Sequence, residues 1–396
     1  MGVDEIRLAA AQAVLHTAVD RGDLNVAMGL VGDSSGILMT HASGHSDASA
    51  NEPVEPDAIF AIASMTKLVT TIAALQLVED AKLDLDVPVD AYLPQLAGLS
   101  VLEGFDGGGA PIFVDAHRAP TARELITHTS GFVYSIWNED ALILESKGLS
   151  SGVGSGAKML DAPLAFQPGT AWEYGIGIDW LGVLIEKISG KRLEPYFQDH
   201  ILGPLGMTDT TFELQQGKIN RALVMMMRVN GELVESSAMQ PEATDPGSME
   251  FYGGGGGLFS TLKDYGVLLT VLLNDGRHGD TTLLRKETVD SMFENHIGVL
   301  EITPVDAQMA PLSNNLDMGF GSLAKWGLGF LLHPQGTENG RSPGSASWAG
   351  LFNSYFWIDR ENDLFGVFAT QVLPFMDTES VAALTAFERA LYGIGD

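Results

Sequence analysis

Ser64-Met65-Thr66-Lys67 places a hydroxyl and an amine three residues apart within "AIFAIASMTKLVTTIAALQLV", residues 58–78, where Lys67 is the one charged side chain. A serine hydroxyl is a weak nucleophile until a base takes its proton. Three residues along a helix keep two side chains on one face, within reach of each other. A free lysine, with pKa near 10.4, is neutral in only about one molecule in a thousand at pH 7.4. Apolar burial and the positive end of a helix both disfavour the ammonium and bring the amine into range as a base. The same helix end points backbone N–H groups at the oxyanion formed when a hydroxyl attacks a carbonyl. Ser64 as a plain N-cap fits poorly. A capping box asks for Glu or Gln at position 67, and the macrodipole favours an anion in the first turn. No acid stands between Asp57 and Glu79. Ser64 is read as the nucleophile and Lys67 as its base.

Other serines carry similar patterns and are set aside on context. Ser-x-x-Lys also begins at Ser155, Ser260 and Ser322. Ser155 lies in a glycine-rich loop, and Ser322 leads into a strand, where side chains three apart face opposite ways. Ser260 opens a helix, but Thr261 as N-cap with Asp264 at the third helical position accounts for that pattern. Gly-x-Ser-x-Gly occurs at 32–36, 148–152 and 340–344. A nucleophile elbow needs a strand entering and a helix leaving, and none of the three has both. His41 and His45 fall on a predicted strand and turn with no third ligand in sight, and His128 reads as a structural neighbour of a helix end. Gly253–Gly257 lack a Walker lysine and suit a close backbone approach.

The elements that must hold this pair follow from periodicity. Residues near 6–18 repeat at helical spacing, and "LNVAMGLVGDSSGILMTHASG" reads as a hairpin across Gly-Asp-Ser-Ser-Gly. Residues 64 to about 80 read as a buried helix, and 81 to about 210 as helical pieces divided by Pro and Gly. From about 326 the pattern turns to strands, then to a closing helix at "ESVAALTAFERALYGI". The two ends therefore form one α/β domain, residues 1–75 and 210–396, with a helical domain over 76–209 and the active site between them.

Composition narrows the function classes. The chain has 396 residues, 45% of them hydrophobic, no cysteine and a formal net charge of −29. Cysteine chemistry is excluded, and so acidic a surface repels phosphate backbones and anionic lipids, so neither nucleic acid nor membrane is expected as a partner. A span through residues 58–78 would bury Lys67 at roughly 2.5–3.5 kcal/mol on insertion scales. No export signal is evident, which suggests a cytoplasmic protein.

Several segments in order resemble the serine β-lactamase and penicillin-binding-protein superfamily, in particular its class C-like branch with the family VIII carboxylesterases. They are "ASMTK", "ARELITHTSGF", "QPGTAWEYGIGIDWLG", "ILGPLGMTDT", "GGGGLFSTLKDY" and "WAGLFNSYFWID" followed by "GVFATQVLPF". The resemblance implies a β-lactamase-like fold of class C type, an antiparallel sheet flanked by helices with a mostly helical inserted domain. It also implies that Tyr174 serves as general acid–base beside Ser64 and Lys67, and that the backbone N–H groups of Ser64 and Leu351 form the oxyanion hole. Two positions depart from the β-lactamase pattern. Ile176 stands where that pattern has Asn, and Trp348-Ala349-Gly350 where it has Lys-Thr-Gly. Ile176, Trp348, Ala349 and Gly350 are expected to line an apolar substrate pocket.

The expectation is a serine carboxylesterase for short-chain acyl or aryl esters, working through an acyl-enzyme without cofactor or metal, on a small-molecule ester, as monomer or homodimer. Acyltransferase, amidase or weak β-lactamase chemistry are the alternatives on the same residues; a non-catalytic sensor or assembly protein is the other class.

Overall fold

Helix α1 (Glu5–Asp20) begins where the Asp4 carboxylate accepts from the Arg7 N–H at 2.9 Å. The chain then forms the hairpin β1 (Val26–Asp33) and β2 (Gly36–Gly44). A computed structural model describes residues 3–46, 53–317 and 323–395; Ser322 lies outside them.

Five more strands complete the main sheet: β3 (Lys325–Trp326), β4 (Leu331–His333), β5 (Ser345–Gly350), β6 (Ser354–Asp359) and β7 (Leu364–Ala369). Their order is β3-β4-β5-β6-β7-β1-β2, antiparallel throughout. β6 and β7 are buried along their whole length, which explains their near-continuous apolar sequence. Met28 pairs with Ala369, so the first and last parts of the chain share this sheet. Gly29 faces Leu15 and Phe387, whereas neighbouring Leu30 faces Gly266. Alternation along β1 therefore puts α1 and the C-terminal helix on one face and the Leu262–Leu273 helix on the other.

Helix α2 (Thr66–Glu79) is apolar nearly all round and packs on α3 (Gly177–Ser189). The segment expected to be helical also contains a hairpin, Ser100–Phe105 with Pro111–Asp115. Its turn is built by Asp106, whose carboxylate accepts from Gly108 and Ala110. The Asp-Gly turn signal lies in the sequence and overrides the helical reading of that stretch. As expected, Thr261 caps the helix that follows it by accepting from the Asp264 N–H at 3.2 Å.

A two-residue ladder positions the site. Phe60 pairs with Ser260 and Ala61 with Phe259, which lays the Gly253–Gly257 segment beside Ser64. Among the described residues no helix is long and apolar enough to cross a membrane.

Candidate active site

Ser64 lies within a single 3₁₀ turn, Ala63–Met65, that runs straight into α2. It is not an N-cap: neither that turn nor α2 has a side-chain cap. Ala63, just before it, has φ +44°, a left-handed conformation that costs a non-glycine residue about 1–3 kcal/mol. The turn is clamped from outside. Ile62 N–H donates to the Leu258 carbonyl at 3.0 Å, and Tyr265 donates to the Met65 carbonyl at 3.0 Å. The Thr66 hydroxyl accepts from the N–H groups of Gly257 and Leu258.

Lys67 is fully buried one turn on. Its Nζ lies 3.2 Å from Ser64 Oγ, 3.1 Å from the Tyr134 hydroxyl and 2.5 Å from the Gly255 carbonyl oxygen. None of these partners is a carboxylate. Burial pushes the amine from 10.5 down to about 7, against the opposing pull of Asp179. Asp179, in the first turn of α3, accepts from Gly255 N–H at 2.8 Å and from the Tyr134 hydroxyl at 3.4 Å. A Cβ on Gly255 would fall 2.3 Å from that carboxylate, so only glycine can pass between Asp179 and Lys67.

Tyr174 precedes α3 in a nest of rings. Its centroid is 5.1 Å from Tyr134, 5.4 Å from Trp137, 5.0 Å from Trp348 and 4.7 Å from His128. Its buried hydroxyl looks toward Ser64 and the Trp348 indole, yet makes no hydrogen bond of ordinary length and angle. Burial raises its pKa above the usual 10. His128 is buried and held well below 6.5 by burial and by Lys67, hence neutral. Its Nδ1 accepts from Gly175 N–H at 3.4 Å, which ties down the loop that presents Tyr174.

Two cavities meet at Ser64, and Tyr174 and Leu351 also line both. A narrow one runs along β5 past Trp348, Ala349, Trp137, Leu316 and Phe375. The other is a wide cleft of about 430 Å³ walled by Met159, Met225, Met239, Met249, Phe212 and Phe251. Two expected pocket residues lie elsewhere. Ile176 occupies the N-cap position of α3 without a side-chain cap and is buried, lining only a small crevice with Val133, Tyr134 and Met159. Gly350 lines neither cavity; its role is to let β5 touch the Ser64 turn.

The structure thus brings Ser64, Lys67, Tyr174, Leu351, Trp348 and Ala349 together. It adds Tyr134 and Asp179, which the sequence reading missed. Asp179 carried a signal: like Lys67, it is a charge set among apolar helix residues, here Ile178, Trp180, Leu181, Leu184 and Ile185. Among the described residues no group of three or more His, Cys, Asp or Glu could hold a metal ion.

Comparison with known proteins agrees with this architecture. A family model described as Beta-lactamase matches residues 12–390. The lovastatin esterase of Penicillium rubens is 33% identical over 395 residues, covering 93% of this chain and 94% of that protein. The monacolin J acid methylbutanoyltransferase of Aspergillus terreus is 33% identical over 355 residues, covering 86% and 83%. A solved mutant of simvastatin synthase from Aspergillus terreus superposes with TM-score 0.84 at 31% identity, covering 98% of this chain and 95% of that one. The fold, the serine–lysine helix and these likenesses together make the protein a member of the beta-lactamase family of serine enzymes.

Proposed function

We propose that the protein is an acyltransferase that moves a small acyl group through Ser64 to a bulky apolar alcohol, with hydrolysis as the competing outcome when water takes the acceptor's place. The observation that carries this reading is the Lys67 amine, 3.2 Å from Ser64 Oγ with its pKa brought down to about 7, set where a narrow and a wide apolar cavity join.

Ser64 Oγ attacks the carbonyl carbon of an ester or thioester donor and gives its proton to Lys67. The N–H groups of Ser64 and Leu351 hold the oxyanion. Collapse of the tetrahedral intermediate breaks the bond to the leaving group, which takes a proton delivered through Tyr174. The acceptor hydroxyl then enters, loses its proton to the Lys67–Tyr174 pair and attacks the acyl-Ser64 carbon; the bond to Ser64 Oγ breaks as that proton passes to Oγ, which restores free Ser64. The narrow cavity suits a short or branched acyl group. The methionine-lined cleft suits a large apolar acceptor and leaves little for water to hydrogen-bond. That the relatives include both an esterase and a methylbutanoyltransferase supports a shared acyl-enzyme with a choice of acceptor. Amide and β-lactam hydrolysis are less well supported, because apolar Trp348 and Ala349 replace the polar motif.

The test uses p-nitrophenyl butyrate with and without a bulky apolar alcohol such as cyclohexanol. Expected are a mass increment on the Ser64 peptide, loss of turnover in Ser64→Ala, and an ester product that rises with alcohol concentration. Acylation without any ester product would return the reading to a plain esterase, and an unlabelled Ser64 would sink both.

A further inference from the structure

A neutral lysine has two N–H donors and one lone pair, and only the lone pair can accept the serine proton. Which partner receives it is a question of hydrogen-bond accounting around Nζ. The Gly255 carbonyl, 2.5 Å away, can only accept, so it takes one N–H. The Tyr134 hydroxyl, 3.1 Å away, could either accept from Lys67 or donate to it. If it donated, it would occupy the lone pair that Ser64 needs.

Asp179 removes that ambiguity. Its Oδ2 accepts from the Tyr134 hydroxyl, and its Oδ1 from Gly255 N–H. With its proton directed at the carboxylate, Tyr134 presents its oxygen to Lys67 and takes the second N–H. The lone pair is left for Ser64 Oγ. We propose that Asp179 is a positioning residue that acts through Tyr134 and Gly255 to aim the Lys67 lone pair at Ser64. This rests on the acyl-enzyme reading above and names a part of the same site.

The surroundings leave Asp179 alone in this role. Among the described residues the titratable groups facing Lys67 are Tyr134, Tyr174, His128 and Asp179, and of these Asp179 alone bears a charge opposite to the ammonium. Burial raises the Asp179 pKa, while Lys67, Gly255 and Tyr134 favour its ionised form. A plainer role is open to the same residue, since an acid in the first turn of α3 stabilises that helix.

Asp179→Asn separates the two roles, because the amide keeps an acceptor for Gly255 N–H but presents a donor to Tyr134. Expected is a fall in kcat of about 10²-fold with KM little changed. The acid limb of kcat/KM should also move to lower pH by about one to two, since the carboxylate no longer favours the ammonium. Tyr134→Phe should cost less, about tenfold, because it removes the oxygen that could misdirect the amine. In that background Asp179→Asn should then cost little further. A rate loss with an unshifted acid limb, or one equally large with and without the Tyr134 hydroxyl, would overturn the proposal in favour of a structural acid. Fluorophosphonate labelling of Ser64 in the unaltered enzyme is the control: without it the acyl-enzyme reading fails, whereas labelling with an unmoved pH profile counts against Asp179 alone.

Discussion

Gly350 lies against the carbonyl of Ile62 so closely that a Cβ would sit 2.4 Å from that oxygen and 2.4 Å from Ser354 Oγ. The end of β5 is thereby pressed onto the turn that carries Ser64, and Leu351 is the next residue along. This contact sets the separation of the two N–H groups proposed to hold the oxyanion.

Gly350→Ala should therefore act on the chemical step. Overpacking forces β5 away from Ile62 at a cost of about 1–3 kcal/mol in stability. Displacing one oxyanion donor lowers kcat by about 10²–10³. The expected signature is a kcat loss larger than any change in KM, in a protein that still shows a cooperative thermal transition. A variant with normal kcat would mean that Leu351 N–H is not needed at the oxyanion.

Lys67 ties activity to stability with opposite signs. Its fall from 10.5 to about 7 corresponds to roughly 5 kcal/mol against the buried ammonium. The unfolded chain binds this proton up to about pH 10.5 and the folded chain only up to about pH 7. The penalty is thus complete below pH 7, shrinks as pH rises, and is gone above pH 10.5. Lys67→Met should abolish turnover, and its Tm relative to the unaltered protein should be more favourable at pH 6 than at pH 9.5. In the unaltered enzyme kcat/KM should rise with pH through a midpoint near 7. A Tm difference independent of pH would show that Lys67 is charged in the folded state across this range.

The serine–lysine pair was legible because a lone cation on an apolar helix is a local anomaly, visible without any fold. Strands such as β6 and β7 were legible from apolar runs, and the Thr261 cap from two residues. Tyr174 was reached through motif resemblance, since no spacing rule links it to residue 67. Tyr134 and Asp179 were not reached, because they meet Lys67 only after α2 packs on α3 and the glycine-rich segment threads between them. Ile176 lies outside both cavities for the converse reason. Two residues from Tyr174 in sequence, it stands just before a helix and is buried in the core, so nearness along the chain did not carry over to the cavity.

Tyr174 and the decoy Ser260 should give mirror-image phenotypes. The Tyr174 hydroxyl is buried without a hydrogen-bond partner among the described residues, so removing it gives up little that holds the fold together. Tyr174→Phe should lower kcat by about 10²–10⁴ while Tm stays level or rises. Ser260 Oγ is buried against Thr210 Oγ1 at 2.8 Å and faces no reacting group. Ser260→Ala should leave kcat/KM nearly unchanged and destabilise the fold by about 1 kcal/mol. Paired kinetic and thermal measurements on the two variants check both halves, and a Tyr174→Phe enzyme of normal rate would remove the phenol from the proposed proton path.

The wide cleft can be tested apart from the chemistry at Ser64. Phe251 lines it and is absent from the narrow cavity. Phe251→Ala removes apolar contact worth about 1–3 kcal/mol to an acceptor seated there. On the proposed assignment the acyl group of p-nitrophenyl butyrate sits in the narrow cavity, so the burst of p-nitrophenol should keep its rate. The KM for a bulky alcohol should rise about 10–100-fold, and water should then capture a larger share of the acyl-enzyme. Partitioning is read directly as the ratio of ester to free butyrate at fixed alcohol concentration. If Phe251→Ala slows the burst and leaves that ratio alone, the wide cleft holds the acyl group and the assignment of the two cavities is reversed.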